Sequence, residues 1–481
     1  MTTRTERDSM GEMEVPSDIL HGASTQRAVL NFPISGRPVP ASVIQAFAHL
    51  KEACAGVNAE LGRLDPSIAD AIAQAAQVIR SGLNGKAGAL VAGSDGRQAM
   101  DHFPVDVFQT GSGTSTNMNV NEVLSNLACV EAGKPIGAKE PVHPNDHANM
   151  GQSSNDTFPT AMQLAGAEAI SESLVPALRR LRDVLRDKAA AFAEIVKLGR
   201  THLMDATPVT LGQEFSGYAE QIEKAIGRAE AASLALASNL PIGGTAVGTG
   251  INTHPDFGSK VAERLSSAMG IAFAEAENHF EAQATRDCVV EASGFLRTIA
   301  VSYTKIANDL RWMGSGPRGG LFEVSLPAVQ PGSSIMPGKV NPVICESAMM
   351  VSCRVQGNDL AITLGGTGGV GSILELNVAM PMMAEALLDS IELLAATAHM
   401  LVDRCLEGLE PNLSEIEHHL ERSLMTCTAL APVIGYDEAA DIAKSAFKNG
   451  STVREETLRR GLVEPEELDR LLDPGSMTRP A

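Results

Sequence analysis

The sequence predicts a mainly α-helical fold built around a bundle of long helices. Residues 174–195, 211–226, 299–310 and 382–405 each place large apolar side chains at spacings of three, four and seven, the periodicity of one helix face. Strand-like alternation is scarce, and Ala and Leu dominate these tracts over Val and Ile. Helices of about thirty residues exceed the usual globular length, so we expect them to pack against one another in a bundle.

Length and charge exclude several classes of function. The chain has 481 residues, which suggests about three domains, and 44% of them are hydrophobic, enough for a large core. A net charge of −20 argues against binding to nucleic acid or to an anionic membrane. Aromatic residues make up only 4%, which argues against base-stacking platforms. An anionic ligand must therefore be held by local positive potential against the field of the whole chain.

The cysteines and the N-terminus indicate a cytoplasmic protein. The seven cysteines are widely spaced and form no CxxC pair, so neither a disulfide framework nor a zinc site is expected. The N-terminal segment is polar and acidic and lacks the apolar core of a signal peptide. No stretch approaches the roughly 18 consecutive apolar residues that a membrane span requires. We expect no metal and no membrane association.

The character of the chain changes twice. Residues 1–149 combine short elements with Pro-rich turns, residues 150–410 carry the long helical tracts, and residues 411–481 are charged and form short helices. These changes predict an N-terminal domain, a central helical-bundle domain and a small C-terminal helical domain with the same bounds.

The loop at 331–342 carries the most chemistry. It reads PGSSIMPGKVNP, in which two glycines flank a serine pair and a lysine follows. Asn341 and Pro342 fit an N-cap and a first helical position, so Lys339 is expected just before a helix N-terminus, which favours anions. A serine pair, a cation and a helix N-terminus together form a carboxylate-binding loop with a candidate catalytic base. Taken alone, the same residues fit an ordinary Gly/Ser surface loop equally well.

Three further segments, at 111–114, 152–156 and 199–202, offer hydroxyl and amide donors where a helix is expected to begin. Such uncharged donors suit a small polar anion better than a nucleotide, although each segment alone fits an ordinary helix cap. His202 is the natural acid/base candidate because histidine titrates near neutral pH, whereas a lone histidine is more often structural.

Two patterns are expected to be decoys. Residues 366–371 fit GxGxxG, but only a short apolar run precedes them and no βαβ alternation surrounds them, so a dinucleotide site is not expected. His418 and His419 lie in a charged helical stretch and are expected on a solvated face.

Taken together, the loop motifs resemble the fumarase/aspartase superfamily. From about Val15 to near the C-terminus, the chain carries in order GSGTSTNMNVNEV, HPNDHAN, QSSNDTFPTAM, GRTHLMDATPVTLGQEFSGYA, GGTAVGTGINTHP and GSSIMPGKVNP. Within the superfamily the chain is most similar to the class II fumarases, which carry HPND and RTH where aspartases typically carry NPND and RTQ. His143 and His202 occupy the two deciding positions. His147 departs from the fumarase pattern, which often has Asp there.

This resemblance implies a three-domain fumarase/aspartase-like fold and a homotetramer. The central helices of four chains would form a twenty-helix core, and each active site would draw on three chains. The implied reaction is the reversible anti addition of water to fumarate, a small dicarboxylate, giving (S)-malate. No cofactor is implied.

The resemblance also implies residue roles. Ser333 would remove the C3 proton of malate, His202 would protonate the departing hydroxyl, and Glu346 would pair with His202. The substrate contacts would be Ser112, Gly113, Thr114, Ser153, Ser154, Asn155, Thr201, Ser334, Lys339, Val340 and Asn341. An accessory anion site would comprise His143, Pro144, Asn145 and Asp146. The departure from the fumarase pattern at His147 would alter this accessory site.

Three alternatives remain at the level of sequence. An aspartate ammonia-lyase of the same superfamily is the nearest, but it usually has Ala where Gly338 stands. A non-enzymatic structural protein on a lyase scaffold would show erosion of the Ser, His or Lys positions, and none is eroded. A dehydrogenase would need the 366–371 segment to bind NAD.

Overall fold

The computed structural model describes residues 2–84, 90 and 97–480 and confirms the mainly α-helical prediction. The helices are α1 (Ala23–Asn31), α2 (Ala41–Glu60), α3 (Pro66–Asn84), α4 (Thr114–Glu131), α5 (Ser154–Ala169), α6 (Val175–Ala191), α7 (Leu211–Ala237), α8 (Phe257–Met269), α9 (His279–Ala284), α10 (Asp287–Met313), α11 (Val343–Gly366), α12 (Met380–Leu401), α13 (Leu413–Arg422), α14 (Ala431–Ile434), α15 (Tyr436–Asn449), α16 (Val453–Arg460) and α17 (Pro465–Leu471).

The strands are few and form only two-stranded antiparallel pairs within the described ranges. They are β1 (Thr3–Asp8), β2 (Gly11–Pro16), β3 (Val196–Thr201), β4 (Met204–Thr210), β5 (Val324–Ser325), β6 (Ser372–Ile373), β7 (Leu376–Asn377) and β8 (Glu410–Pro411). Among the residues that the structure describes, no helix is both long and apolar enough to cross a membrane.

The long helices follow the apolar periodicity of the sequence. α7 and α10 have 27 residues each, α11 has 24 and α12 has 22. The tract at 174–195 departs from its prediction, because α6 ends at Ala191 and residues 196–201 continue as a strand. The apolar residues near 195 belong to the turn and the strand. Periodicity alone does not distinguish such a short apolar run from the end of a helix.

The chain forms two compact units. One comprises Met1–Pro176, Gly227–Ala300 and Cys353–Ala395, and the other comprises Ala177–Ile226, Val301–Ser352 and Ala396–Ala481. The division of the sequence at 149 and 410 into three domains stays a prediction.

In the first unit α2 packs against α3, α5 and α8. It is apolar on most sides, and its Phe47 meets Phe158 of α5 edge to face with ring centroids 5.8 Å apart. The carboxylate of Glu122 on α4 accepts hydrogen bonds from the backbone N–H of Gly22, Ser24 and Thr25. It therefore satisfies the open N–H groups at the start of α1, which has no side-chain cap of its own.

In the second unit, the C-terminal helices have a core of their own. Leu430, Ile442, Val453 and Leu468 are among the buried residues that form it. The hairpin of β3 and β4 also lies in this unit, and α13 packs against β3.

The GxGxxG segment has a structural role in the first unit. It follows α11 and precedes the two-residue strand β6, whereas a dinucleotide site requires the order strand, glycines, helix. A Cβ on Gly371 would overlap the carbonyl oxygen of Gly365, and the carbonyl oxygen of Gly371 accepts from Val378 N at 2.7 Å. The absence of a side chain at Gly371 is what permits this turn.

We expect Gly371→Ala to lower the unfolding free energy by about 1–3 kcal/mol, because the added methyl group must displace backbone. Thermal or denaturant unfolding measures the change. Gly319→Ala is the control, because Gly319 is exposed and a Cβ there would meet no atom within 4 Å. An equal loss in both variants would contradict the steric explanation.

Candidate active site

Two helix N-termini and a chain of hydroxyl groups meet in the first unit. Thr114 is the first residue of α4 and Ser154 the first residue of α5. Thr114 Oγ1 lies 2.8 Å from Ser112 Oγ and 2.7 Å from Ser154 Oγ, so three predicted substrate contacts are joined by hydrogen bonds. The open N–H groups of both helices and their dipoles favour an anion at this place.

Gly113 makes the approach of α4 to α5 possible. It caps α4 in the left-handed conformation, with φ 72°, and a Cβ at this position would overlap the ring of Phe158 on α5. Only glycine satisfies both conditions without strain.

Asp156 fixes the start of α5. Ser153 is the N-cap, and its hydroxyl accepts from Asn155 N while Asp156 Oδ1 accepts from Ser153 N, which together complete a capping box. Asp156 Oδ2 also accepts from Thr245 N at 2.9 Å and from Gly243 N at 3.3 Å. Burial raises the pKa of Asp156 to about 7, and these backbone hydrogen bonds oppose the rise.

The residues at 243–253 form a further wall of the site. Asn155 donates its side-chain N–H to the carbonyl oxygen of Ala246 at 2.8 Å. A cavity of about 480 Å³ lies between this segment and the start of α5, and it is lined by Thr114, Ser153, Ser154, Thr245, Asn149 and Asn252 among others. Its lining is dominated by hydroxyl and amide groups, as the loop sequences predicted for a small polar anion.

The predicted accessory residues form a tight turn in the first unit. The Nδ1 atom of His143 accepts from the backbone N–H of Asn145 at 3.3 Å and of Asp146 at 3.1 Å. His143, Pro144 and Asn145 line a second cavity of about 370 Å³, and Asn145 also lines the first one. His147 is built into the turn, because its Nδ1 accepts from His143 N at 3.0 Å.

In the second unit, the loop at 331–342 folds back on itself. Gly332 N donates to Lys339 O, and Asn341 Nδ2 donates to Gly332 O, both at 2.7 Å. Ser334, Lys339 and Val340 are exposed along this loop. The helix that follows, α11, begins at Val343, one residue later than the Pro342 start predicted from the sequence.

The hydroxyl oxygen of Ser333 is the acceptor of two backbone N–H groups. They belong to Ile335, at 3.2 Å, and Met336, at 3.0 Å. Two N–H dipoles aimed at one oxygen stabilise negative charge on that oxygen. The loop thus supplies locally what a serine alkoxide needs.

Thr201 and His202 lie at the tip of the β3–β4 hairpin, so the prediction of a helix start at 199–202 is wrong. His202 and Leu203 both have positive φ, 57° and 61°, as a two-residue hairpin turn requires. Thr201 and His202 are exposed. Glu346 is exposed in the first turn of α11, and across the described part of the chain no hydrogen bond or ion pair joins it to His202.

A buried charge network anchors this hairpin, and sequence reasoning missed it. Glu323 is fully buried and accepts from Arg200 Nη1 at 2.6 Å and pairs with Lys197 Nζ at 3.0 Å. Lys197 also binds Glu214 at 2.9 Å. Burial raises the pKa of Glu214, and the charge of Lys197 opposes the rise. Arg200 lies in the quoted GRTH motif, but no sequence pattern connects it with residue 323.

Within residues 2–84, 90 and 97–480, no group of three or more His, Cys, Asp or Glu side chains is arranged to hold a metal ion.

Comparison with known proteins identifies the family. Residues 11–357 match the family described as Lyase, and residues 427–479 match the one described as Fumarase C C-terminus. Fumarate hydratase class II of Neisseria meningitidis serogroup A / serotype 4A is 50% identical over 480 residues, covering 100% of each chain. Mitochondrial fumarate hydratase of Danio rerio is 49% identical over 479 residues, covering 99% of this chain and 90% of that one.

The solved structures agree with the sequence comparison. The crystal structure of class II fumarase from Schistosoma mansoni matches with a TM-score of 0.92 at 37% identity, covering 99% of each chain. The fold and the sequence therefore define this protein as a lyase, and its relatives are hydro-lyases. Within the lyases, this chain belongs to the class II fumarate hydratase family.

We expect Glu323→Gln to lower the unfolding free energy by about 3 kcal/mol or more, because Lys197 and Arg200 lose their buried carboxylate. Denaturant unfolding measures the loss. The control is Glu220→Gln, which breaks an exposed pair with Lys224 and is expected to cost less than about 0.5 kcal/mol. Similar losses in both variants would contradict a role for the buried network.

Proposed function

We propose that this chain catalyses the reversible anti hydration of fumarate to (S)-malate, the hydro-lyase step of the tricarboxylic acid cycle. The observation that carries the proposal is about 50% identity over the whole length to class II fumarate hydratases. We further propose that this enzyme acts in the cytoplasm, which its widely spaced cysteines without a CxxC pair support.

Ser333 is the proposed base. In the malate direction it removes the C3 proton, and the carbanion is delocalised into the adjacent carboxylate. A serine acts as a base only when its alkoxide is stabilised. The N–H groups of Ile335 and Met336 on Ser333 Oγ support this role, and Lys339 adds a positive charge in the same loop.

The dicarboxylate is proposed to lie against the donors of several loops. Lys339 supplies charge, and helix N-termini and neutral groups supply hydrogen bonds, so that the negative charge of the intermediate meets preorganised donors. The proposed contacts are Ser112, Gly113, Thr114, Ser153, Ser154, Asn155, Thr201, Ser334, Lys339, Val340 and Asn341. His143, Pro144, Asn145 and Asp146 are proposed to form an accessory anion site.

His202 is the proposed acid for the departing hydroxyl, acting directly or through a water, with Glu346 as its partner. Because His202 and Glu346 are not bonded to each other within one chain, we propose that they meet across a subunit boundary. A homotetramer whose sites each draw on three chains fulfils this condition.

Exposed apolar side chains on the long helices support such an assembly. Leu234 on α7 is 64% exposed, Val301 on α10 is 52% exposed, and Met350 and Leu360 on α11 are 67% and 59% exposed. Contiguous patches of exposed apolar side chains mark protein–protein interfaces, whereas single exposed ones are common on any surface. The proposed twenty-helix core would bury them.

One assay tests the proposed reaction. The purified chain is given fumarate, (S)-malate and aspartate in turn, and fumarate absorbance is followed. Interconversion of fumarate and malate is expected. Release of fumarate from aspartate without turnover of malate would instead favour the ammonia-lyase, and no turnover of any of the three would overturn the proposed function.

We expect Ser333→Ala to reduce kcat by about 10³-fold or more, because the base is lost, while the oligomer stays intact. Steady-state kinetics and size-exclusion chromatography measure the two effects. Ser315→Ala is a matched control outside the proposed site. Near-normal turnover by Ser333→Ala would remove Ser333 as the base.

We expect His202→Asn to reduce kcat by at least about 10²-fold, the usual effect of losing an acid or base group. The substitution lies at an exposed hairpin tip, where Asn tolerates positive φ, so the melting temperature should stay unchanged. An unchanged rate at an unchanged melting temperature would exclude His202 from proton transfer.

A further inference from the structure

Lys51 is a buried cation directly behind the wall of the 480 Å³ cavity. Its side chain comes from α2 and is fully buried. Its ammonium group donates to Asn117 Oδ1 at 2.7 Å, to Gln152 Oε1 at 2.9 Å and to Asn149 Oδ1 at 3.1 Å. All three amides line the cavity, so one layer of side chains separates Lys51 from the cavity.

The side-chain amides of Asn117, Asn149 and Gln152 form further hydrogen bonds, both with one another and with backbone carbonyl groups of the 148–152 loop. Asn117 donates to Asn149 Oδ1 at 3.0 Å, and Asn149 donates to the carbonyl oxygen of Gln152 at 3.1 Å. Gln152 donates to the carbonyl oxygens of Ala148 and Met150. Through these amides, the position of Lys51 affects the position of the loop that precedes Ser153 and Ser154.

A direct bond links the same network to α5. Thr157, in the first turn of that helix, has its hydroxyl oxygen 3.1 Å from Asn117 Oδ1 and 2.8 Å from the carbonyl oxygen of Ser153, so its single proton is divided between these two acceptors. Displacing the ammonium group would remove one hydrogen bond from each of the three amides.

Among the residues that the structure describes, the ammonium group of Lys51 contacts no carboxylate. Its three acceptors are neutral, and Asp156, which attracts it, is bonded to the backbone N–H of Ser153, Gly243 and Thr245. Burial lowers the pKa of Lys51 to about 7, and the neighbouring Cys54 and Asp156 oppose the shift. An apolar side chain would avoid this desolvation cost, so the cation requires a reason beyond packing.

We infer that Lys51 is a positioning residue of the dicarboxylate site, which holds the amides of Asn117, Asn149 and Gln152 and places a positive charge behind the anion. The inference rests on the proposed function and deepens it, because it adds a second cation to Lys339. In a wall of low dielectric, a buried charge acts on a ligand more strongly than a solvated one does.

Lys51→Met tests the inference, since Met has a similar length but neither charge nor donors. We expect the KM for fumarate and the Kd for succinate, measured by calorimetric titration, to rise about tenfold or more, with a smaller change in kcat. The control is Asn358→Leu. Asn358 is 5% exposed and donates to Asp389 Oδ2 and Ser390 Oγ, neither of which lines the cavity or belongs to the 148–152 loop, so its loss should lower the melting temperature and leave both constants within about twofold.

Lys51→Gln keeps the test decisive if Lys51→Met does not fold. It removes the positive charge but keeps an amide that can donate one hydrogen bond, and residue 51 does not itself line the cavity, so a change in binding acts through the wall. We expect the succinate Kd to rise about threefold or more.

Two results would overturn the inference. One is a succinate Kd within about twofold of the unmodified protein in each Lys51 variant that folds, and the other is an equal rise in Lys51→Met and Asn358→Leu. If the unmodified chain binds succinate but does not hydrate fumarate, the proposed reaction fails, and the succinate titrations still decide the role of Lys51.

Discussion

The cavity in the first unit depends on one constraint, the buried carboxylate of Asp156. It accepts hydrogen bonds from the backbone N–H of Ser153, Thr245 and Gly243, so one side chain holds the start of α5 and the 243–253 segment together. A buried carboxylate is tolerated only when its oxygens are satisfied in this way. The arrangement leaves the hydroxyl groups of Ser154 and Thr114 facing each other at hydrogen-bond distance.

The acidic composition of the chain and an anionic ligand are compatible because the site does not depend on net charge. The chain carries −20, yet the described walls of the cavity present hydroxyl groups, amides and helix N-termini. Such donors act at short range, where the distant surface charges are largely screened. Lys51 behind the wall adds positive charge where it is least screened.

Local physics explains which predictions succeeded. The helical tracts of α7, α10 and α12 follow from apolar periodicity, which depends only on neighbouring residues. The start of α5 follows from its N-cap Ser153 in the same way, whereas α4 begins at the expected place after Gly113 without a side-chain cap. The helix start expected at 199–202 was wrong, because the hairpin depends on the pairing of β3 with β4 and on two left-handed residues that the cap pattern does not reveal.

The sequence by itself determined the helical class, the loops that carry the chemistry and, through the order of its motifs, the class II fumarate hydratase family. Only the tertiary structure decided which distant residues support those loops. Lys51 meets Asn149 across 98 positions, and Arg200 meets Glu323 across 123, and neither pair leaves a pattern in the chain. A buried charge needs a partner within contact distance, and the fold determines which residues lie that close. Such contacts are therefore set by three-dimensional packing rather than by local sequence.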